Sequence, residues 1–330
     1  MNDQSSAVFV DWITASEFHP GGGLPILAGG LTVFYDGCGN ARYERTSPAS
    51  VPGSFESAVR VGCDGARVYV SGNVGRFSRE DNLFNHGWPG TVEAANRILL
   101  QIGLPAFSFA RGVSENGHRL GGRLSRLDIT ANFCTGSDGQ ARAVIRWLSG
   151  QAVARMKRGQ AGDESVWWSN TRHMFKAYRK AAEMVKHGRA SDEFSVQWCH
   201  QNGVVRVEVE LKRRLLEELE MRQFCDVNDQ LIAECFADQT EILRRVDRSD
   251  EPDIIAAIPS RSRGYASAWL AGQDVRAFMS NGTLYRHAKV LREYGIDILQ
   301  PRNVIGFPIK VRVVDLVPAA VPDWYVLKVA

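Results

Sequence analysis

The chain has 330 residues, 44% of them hydrophobic, six cysteines, and a formal net charge of +3 at pH 7. This is the composition of a soluble globular protein with enough apolar material for a core in two or three subdomains. The start MNDQSSAVFVDWIT has no basic n-region, and there is no apolar run of about 18 residues, so neither a secretory signal nor a membrane-spanning helix is expected. Cys38, Cys63, Cys134, Cys199, Cys225 and Cys235 form no C-x-x-C pair, and they read as reduced, mostly buried thiols of a cytosolic protein.

The N-terminal hundred residues read as β-rich. Val8 to Thr14 and Leu31 to Tyr35 are strand-like, and Asp36-Gly37 and Asp64-Gly65 are hairpin dipeptides, the second joining SFESAVRV to ARVYVSG. His19 to Pro25 is a Gly-rich loop, but its glycines do not follow a strand and open a helix, so it is no dinucleotide site. Ser71 to Phe77 lacks the Gly-Lys-Ser/Thr end of a P-loop. Thr91 reads as the cap of a helix with Val92, Ala95, Leu99 and Ile102 on one face and Gly103 as its stop. After the loop at Gly112 to Gly122 comes a strand, SRLDITANF (Ser125 to Phe133), then a helix with Ala141, Val144, Ile145 and Leu148 inward. VWWS and RHMFKAYRK form a hairpin around Asn170 and Thr171, followed by a short helix ending at Gly188. FSVQWC and VVRVEVELK (Val204 to Lys212) read as another hairpin across Asn202-Gly203.

Beyond Lys212 the chain turns helical, with Pro252 and Pro259 as punctuation. Tyr265 to Gly295 has the rhythm of a helix-turn-helix whose last helix carries Arg286, His287, Lys289 and Arg292. The alternative is an amphipathic bundle helix with Leu284, Val290 and Leu291 inward. The expected class is α+β: an antiparallel-sheet palm with a β-rich N-terminal part and a helical C-terminal part. The expected subdomains are 1–105 (β-rich), 106–225 (the α+β palm) and 226–330 (mainly helical, with the candidate helix-turn-helix).

Three segments are built to face one another. Period-2 geometry puts Arg206, Glu208, Glu210 and Lys212 on one face of the Val204 strand and Val205, Val207, Val209 and Leu211 on the other. In SRLDITANF, Arg126, Asp128 and Thr130 share a face. In the tyrosine segment (Val166 to Glu183), Lys176, Tyr178 and Lys180 line up. Met174, Tyr178, Ala181 and Val185 also fall at helical spacing, which would put the tyrosine on an apolar stripe; the Trp167-Trp168 strand and the Asn-Thr break favour the hairpin. Between Arg142 and Arg189 eleven Lys and Arg face three acids, a segment charge of +8 that leaves −5 for the rest. A basic focus around one tyrosine fits a polyanion; a solvated basic surface is the alternative.

On these pieces the chain resembles the replication initiators of filamentous phages, the gene II and gene X type, and related plasmid initiators. The residues that carry the resemblance are SRLDITANF, the R-x-x-x-x-A-Y-x-K pattern of Arg172, Ala177, Tyr178 and Lys180, VVRVEVELK, the tail PDWYVLKVA (Pro322 to Ala330) and, more weakly, DNLFNHG (Asp81 to Gly87). The resemblance implies a rolling-circle initiator, a site- and strand-specific nickase and religase acting through a 5′-phosphotyrosine link. It implies the nucleophile role for Tyr178 and metal-site roles for Asp128 and Glu208, and host helicase and DNA polymerase as partners in the bacterial cytoplasm.

The residue chemistry agrees with that expectation. A phenol of pKa about 10 is a poor nucleophile at neutral pH, and ammonium groups at Lys176 and Lys180 are expected to lower its pKa. Asp128 and Glu208, with Glu210 third, are carboxylate ligands that suit Mg²⁺ or Mn²⁺. Arg126 and Arg206 either neutralise the acids or hold the DNA backbone, with cross-strand ion pairs as the alternative. Arg172, Arg179, Arg286, Lys289 and Arg292 complete the expected contacts to supercoiled origin DNA and the nicked single strand. No histidine-hydrophobe-histidine metal motif exists, although His118 or His173 would serve as one ligand. The competing readings are a non-catalytic origin- or operator-binding protein and, last, a tyrosine recombinase using Tyr294.

Overall fold

β-Branched and aromatic residues alternate between turn dipeptides through the first 134 residues, and strands follow from that pattern. In the computed structural model, which describes residues 8–151, 153–191, 193–244, 258–270, 273–292, 296–299 and 316–325, these are β1 (Val8–Phe18), β2 (Ile26–Leu27), β3 (Gly30–Tyr35), β4 (Ala41–Ser47), β5 (Ala49–Pro52), β6 (Ala58–Asp64), β7 (Arg67–Gly72) and β8 (Arg123–Cys134). Further on come β9 (Lys157–Ala161), β10 (Ser165–Ser169), β11 (His173–Arg179), β12 (Val204–Lys212) and β13 (Val317–Pro318). Pro252, Tyr294 and the last five residues of the tail lie outside the described residues.

The protein is α+β. Among the described residues eleven strands form one sheet, ordered β2-β6-β7-β1-β8-β12-β11-β10-β9, with β5 on β6 and β13 on the end of β8; β3 and β4 form a separate ribbon. All the strand pairs are antiparallel. β1, β6 and β7 share this sheet with the expected palm strands, so the expected boundary at 105/106 is no break in the sheet.

One face of the sheet carries the main core. Ile13, Leu127, Ile129, Val207, Val209, Phe175 and Ala177 meet the apolar stripes of α1 (Trp88–Gln101), α2 (Asp138–Ser149), α5 (Arg213–Glu218) and α6 (Asp229–Gln239). α1 starts earlier than its sequence suggests. Pro89 sits in its first turn, Gly87 is its N-cap, and Asp229 Oδ1 accepts the Trp88 N–H at 2.5 Å from across the core. Thr91 is therefore inside the helix, its hydroxyl bonded back to the Gly87 carbonyl at 2.8 Å.

The other face is partly covered at one end by a second cluster. Phe9, Leu83, Phe84, Val204 and Ala319 pack there with α3 (Lys180–Lys186) and α4 (Phe194–Gln201). The expected strand FSVQWC is this helix α4. Its Asn202-Gly203 turn is a helix C-terminus, with Gly203 at φ 57, because both edges of β12 are already taken by β8 and β11. A short helix α7 (Glu241–Arg244) follows α6. A third cluster joins α8 (Ser260–Leu270) to α9 (Asn281–Arg292) through Ala266, Trp269, Leu284, Ala288 and Leu291.

Candidate active site

The site lies on the partly covered face, where β1, β8, β12 and β11 run side by side. Register places Tyr178 opposite Arg206 and Lys176 opposite Glu208. It also places Glu208 opposite Thr130 and Glu210 opposite Asp128. Side-chain alternation therefore brings Tyr178, Glu208, Glu210 and Asp128 to one face, and Tyr178 is on a strand.

Tyr178 is 4% exposed. Its hydroxyl donates to Glu208 Oε1 at 2.5 Å, and Lys176 Nζ lies 4.3 Å from its ring centroid. Burial and the Glu208 charge push the phenol well above its usual pKa. The expectation that flanking ammonium groups lower it is corrected here. The strand ends at Arg179, so Lys180 opens α3 instead of continuing the alternation. Its buried ammonium donates to Glu183 Oε2 at 2.7 Å and Asn82 Oδ1 at 3.0 Å. Burial and the Arg206 charge lower the Lys180 pKa despite Glu183.

Arg206 is fully buried, and an outward reach to a DNA backbone is likewise corrected. Its Nε donates to Asn132 Oδ1 at 2.9 Å, and Nη2 donates to the Asn82 and Leu83 carbonyls at 2.6 Å each. Burial disfavours its charge, but the nearby acids Asp11, Glu208 and Glu183 outweigh that and hold it protonated. Arg126 takes the neutralising role. It grips Asp128 through two bonds of 2.8 and 2.6 Å, reaches Glu210 Oε2 at 3.3 Å, and lies over the Trp12 ring.

One carboxylate escaped the sequence reading. The register between β1 and β8 slips between Val10 and Trp12. The bulge holds Asp11 among the site's charges, where its oxygens accept amide protons from Asn73 at 2.8 Å and Asn82 at 3.2 Å. Within a V-D-W stretch it reads as an ordinary outward strand residue; only the bulge, invisible in sequence, aims it here. Burial and then Asp11 raise the Glu208 pKa, against the pull of Arg206 and Lys176. Burial raises Asp128 to about 7 even though Arg126 holds it.

Among the described residues no three His, Cys, Asp or Glu side chains converge into a metal cage. The acids nonetheless suit a hard cation of the kind held by one or two carboxylates and completed by water and phosphate oxygens. Asp128 and Glu208 bring carboxylate oxygens to one sheet face, and burial is the main cause that raises the pKa of each. His118 instead stacks on Phe18, with ring centroids 4.0 Å apart. His173 opens β11 five residues before Tyr178, roughly 16 Å away along an extended strand.

The remaining expected DNA contacts divide. Arg179 points to the helix side of the sheet, where Asp138 of α2 accepts from its Nη2 at 2.6 Å, and it is buried. Arg172 is exposed and paired with Glu218. On α9, Arg286 and Lys289 are exposed, and Arg292 is paired with Asp297 at 3.4 Å. His287 turns inward to Ser262 Oγ, 2.9 Å from its Nδ1.

Comparison with known proteins identifies the family of the chain. Residues 28–230 match the N-terminal part of the replication-associated protein family of filamentous-phage gene II, and residues 259–330 match its C-terminal part. The replication-associated protein of this type from Escherichia phage If1 is 27% identical over 317 residues, covering 81% of this chain and 97% of the relative. That of Enterobacteria phage I2-2 is 26% identical over 348 residues, covering 96% of each. Among solved structures, a rolling circle replication initiator protein from Geobacillus stearothermophilus superposes with a TM-score of 0.32 at 14% identity, over 69% of this chain and 78% of that one. The N-terminal match alone spans more than half of the chain and contains Tyr178, Asp128, Glu208 and Glu210, and the chain belongs to the gene II family of phage replication-associated proteins.

Proposed function

We propose that this protein initiates, and by the reverse reaction terminates, rolling-circle replication of a phage or plasmid, by nicking one strand at the origin with Tyr178. The observation that carries the reading is the Tyr178 hydroxyl donating to a buried carboxylate, Glu208, beside Lys176 and Arg206. The phenol oxygen attacks the scissile phosphorus as its proton passes to Glu208. The bond from phosphorus to the 3′-oxygen breaks, and that oxygen takes a proton from water. A 5′-phosphotyrosyl link and a free 3′-OH result, and the link retains the energy needed for rejoining without ATP. A general base suits this phenol better than spontaneous ionisation, because its pKa is raised. Lys176, half-buried over the ring, is the cation that offsets the charge developing on the phosphate. Glu208 and Asp128, with Glu210 nearby, would hold a divalent cation, Mg²⁺ or Mn²⁺, which when bound would supply polarisation of the phosphate.

The partners under this reading are supercoiled origin DNA and the nicked strand, then host helicase and DNA polymerase, in the bacterial cytoplasm. No helix among the described residues is long and apolar enough to cross a membrane. The test is incubation with Mg²⁺ and supercoiled plasmid carrying the cognate origin, with mass spectrometry of the protein–DNA adduct. Open or relaxed circles with DNA 5′-linked to Tyr178 are expected. Tyr178→Phe abolishes the adduct while origin binding stays within about twofold, and Glu208→Gln slows it by about a hundredfold or more. A wild-type protein that binds the origin and forms no adduct would favour a non-catalytic binding role.

A further inference from the structure

Two stretches that the chemistry above leaves unused, the loop from Asp81 and the C-terminal segment, meet each other. Tyr325 is a single hydroxyl with its bonding capacity filled: it donates to Asp81 Oδ1 at 2.6 Å and accepts from Arg79 Nη2 at 2.7 Å and from the Phe84 N–H at 3.2 Å. Its ring packs edge-on against Phe84 with centroids 5.2 Å apart, and Trp324 packs on Trp198 and Phe194 of α4. Just upstream, Val317 and Pro318 pair with the end of β8, and the Ala319 N–H donates to the Asn132 carbonyl at 2.9 Å.

From this loop the bonds run to charged groups of the site, not to the apolar core. Asn82 accepts from Lys180 Nζ, donates to Asp11, and offers its carbonyl to Arg206. Leu83 offers its carbonyl to Arg206 and to the Asn132 amide, both at 2.6 Å. Arg206 stands opposite Tyr178 in the strand register. A shift of the loop therefore moves the cation beside the nucleophile and the acid beside its base together.

We propose that Tyr325 is a positioning residue for the Tyr178 centre: the C-terminal segment clamps the Asp81–His86 loop, and the loop sets the places of Arg206, Lys180 and Asp11. This rests on the reading that Tyr178 nicks DNA. The substitution Tyr325→Phe keeps the ring and removes three hydrogen bonds. In the full-length protein with Mg²⁺ and a single-stranded oligonucleotide of the cognate origin, the single-turnover rate of adduct formation is expected to fall ten- to roughly a hundredfold, as small misplacements of reacting groups do. Oligonucleotide affinity stays within about twofold of wild type, so the loss falls on the rate of the bound complex and not on binding.

A Tyr325→Phe rate equal to wild type would overturn the proposal, as would a slower rate fully accounted for by a smaller folded fraction. If the wild-type protein itself forms no Tyr178 adduct, the nicking reading has failed separately, and hydrogen exchange decides the clamp. Faster exchange of the Asn82–His86 amides with β12 still protected supports it; unchanged exchange refutes it. Should Tyr325→Phe not fold, Asp81→Asn weakens the same contact from the other side and is judged by the same readouts.

Discussion

Asp128 is a residue whose charge the fold tolerates poorly. Its carboxylate is buried on a sheet face with Glu208 and Glu210 near it, and Arg126 offsets only part of that cost. A folded-state pKa of about 7, against an ordinary value of 3.8, means that the folded protein binds a proton more tightly than the unfolded chain. This contribution to stability is whole below pH about 4 and is lost as pH rises to about 7, a change on the order of a few kcal/mol. Thermal melts across that range should show wild-type stability falling relative to Asp128→Asn, which has no proton to lose. Parallel curves for the two proteins would remove Asp128 as the cause. At this scale Tyr178, Glu208 and Asp128 are legible from alternation alone, because period two is a property of any strand. Asp11 is not, because a bulge breaks the alternation, and neither is the inward turn of Arg206 and Arg179, which depends on what packs over each face.

At the scale of elements, the segment from α4 to β12 shows how tertiary context overrides a local signal. Asn-Gly between two apolar runs is a strong hairpin signature, yet β12 has β8 on one edge and β11 on the other. The preceding run therefore coils into a helix that buries Val196 and Cys199 against Ala181 and Met184. Gly203 then takes the left-handed conformation that closes a helix. It packs so tightly on the β8–α2 connection that an added Cβ would run into the Ser137 carbonyl and the Thr135 hydroxyl. Gly203→Ala should therefore cost more than about 2 kcal/mol, from the left-handed backbone alone plus the clash. Urea unfolding checks this; a loss below about 0.5 kcal/mol would mean the turn relaxes freely. The tyrosine hairpin, by contrast, matches its sequence signature, since β10 and β11 pair in the expected order with Trp167 opposite Lys176.

At the scale of the molecule, one antiparallel sheet carries both the N-terminal strands and the site, while α8 and α9 form their own apolar cluster. On α9 the inward side is Leu284, His287, Ala288 and Leu291, and Arg286 and Lys289 face solvent. If that surface meets origin DNA, the double substitution Arg286→Ala, Lys289→Ala should lower the slope of log affinity against log salt by roughly 2. Adduct chemistry at Tyr178 on a saturating oligonucleotide should stay near wild type. An unchanged slope, measured by fluorescence anisotropy, would remove α9 from the interface. The sequence by itself determined the class of the fold and the face shared by the tyrosine and its acids, because strand alternation is a local property of the chain. Only the tertiary structure decided that the phenol is buried and held protonated by Glu208, that Lys180 and Arg206 turn inward, and that Asp11 and Tyr325 belong to the same network. Those outcomes depend on burial, a register slip and contacts between residues far apart in the chain, none of which a local pattern encodes.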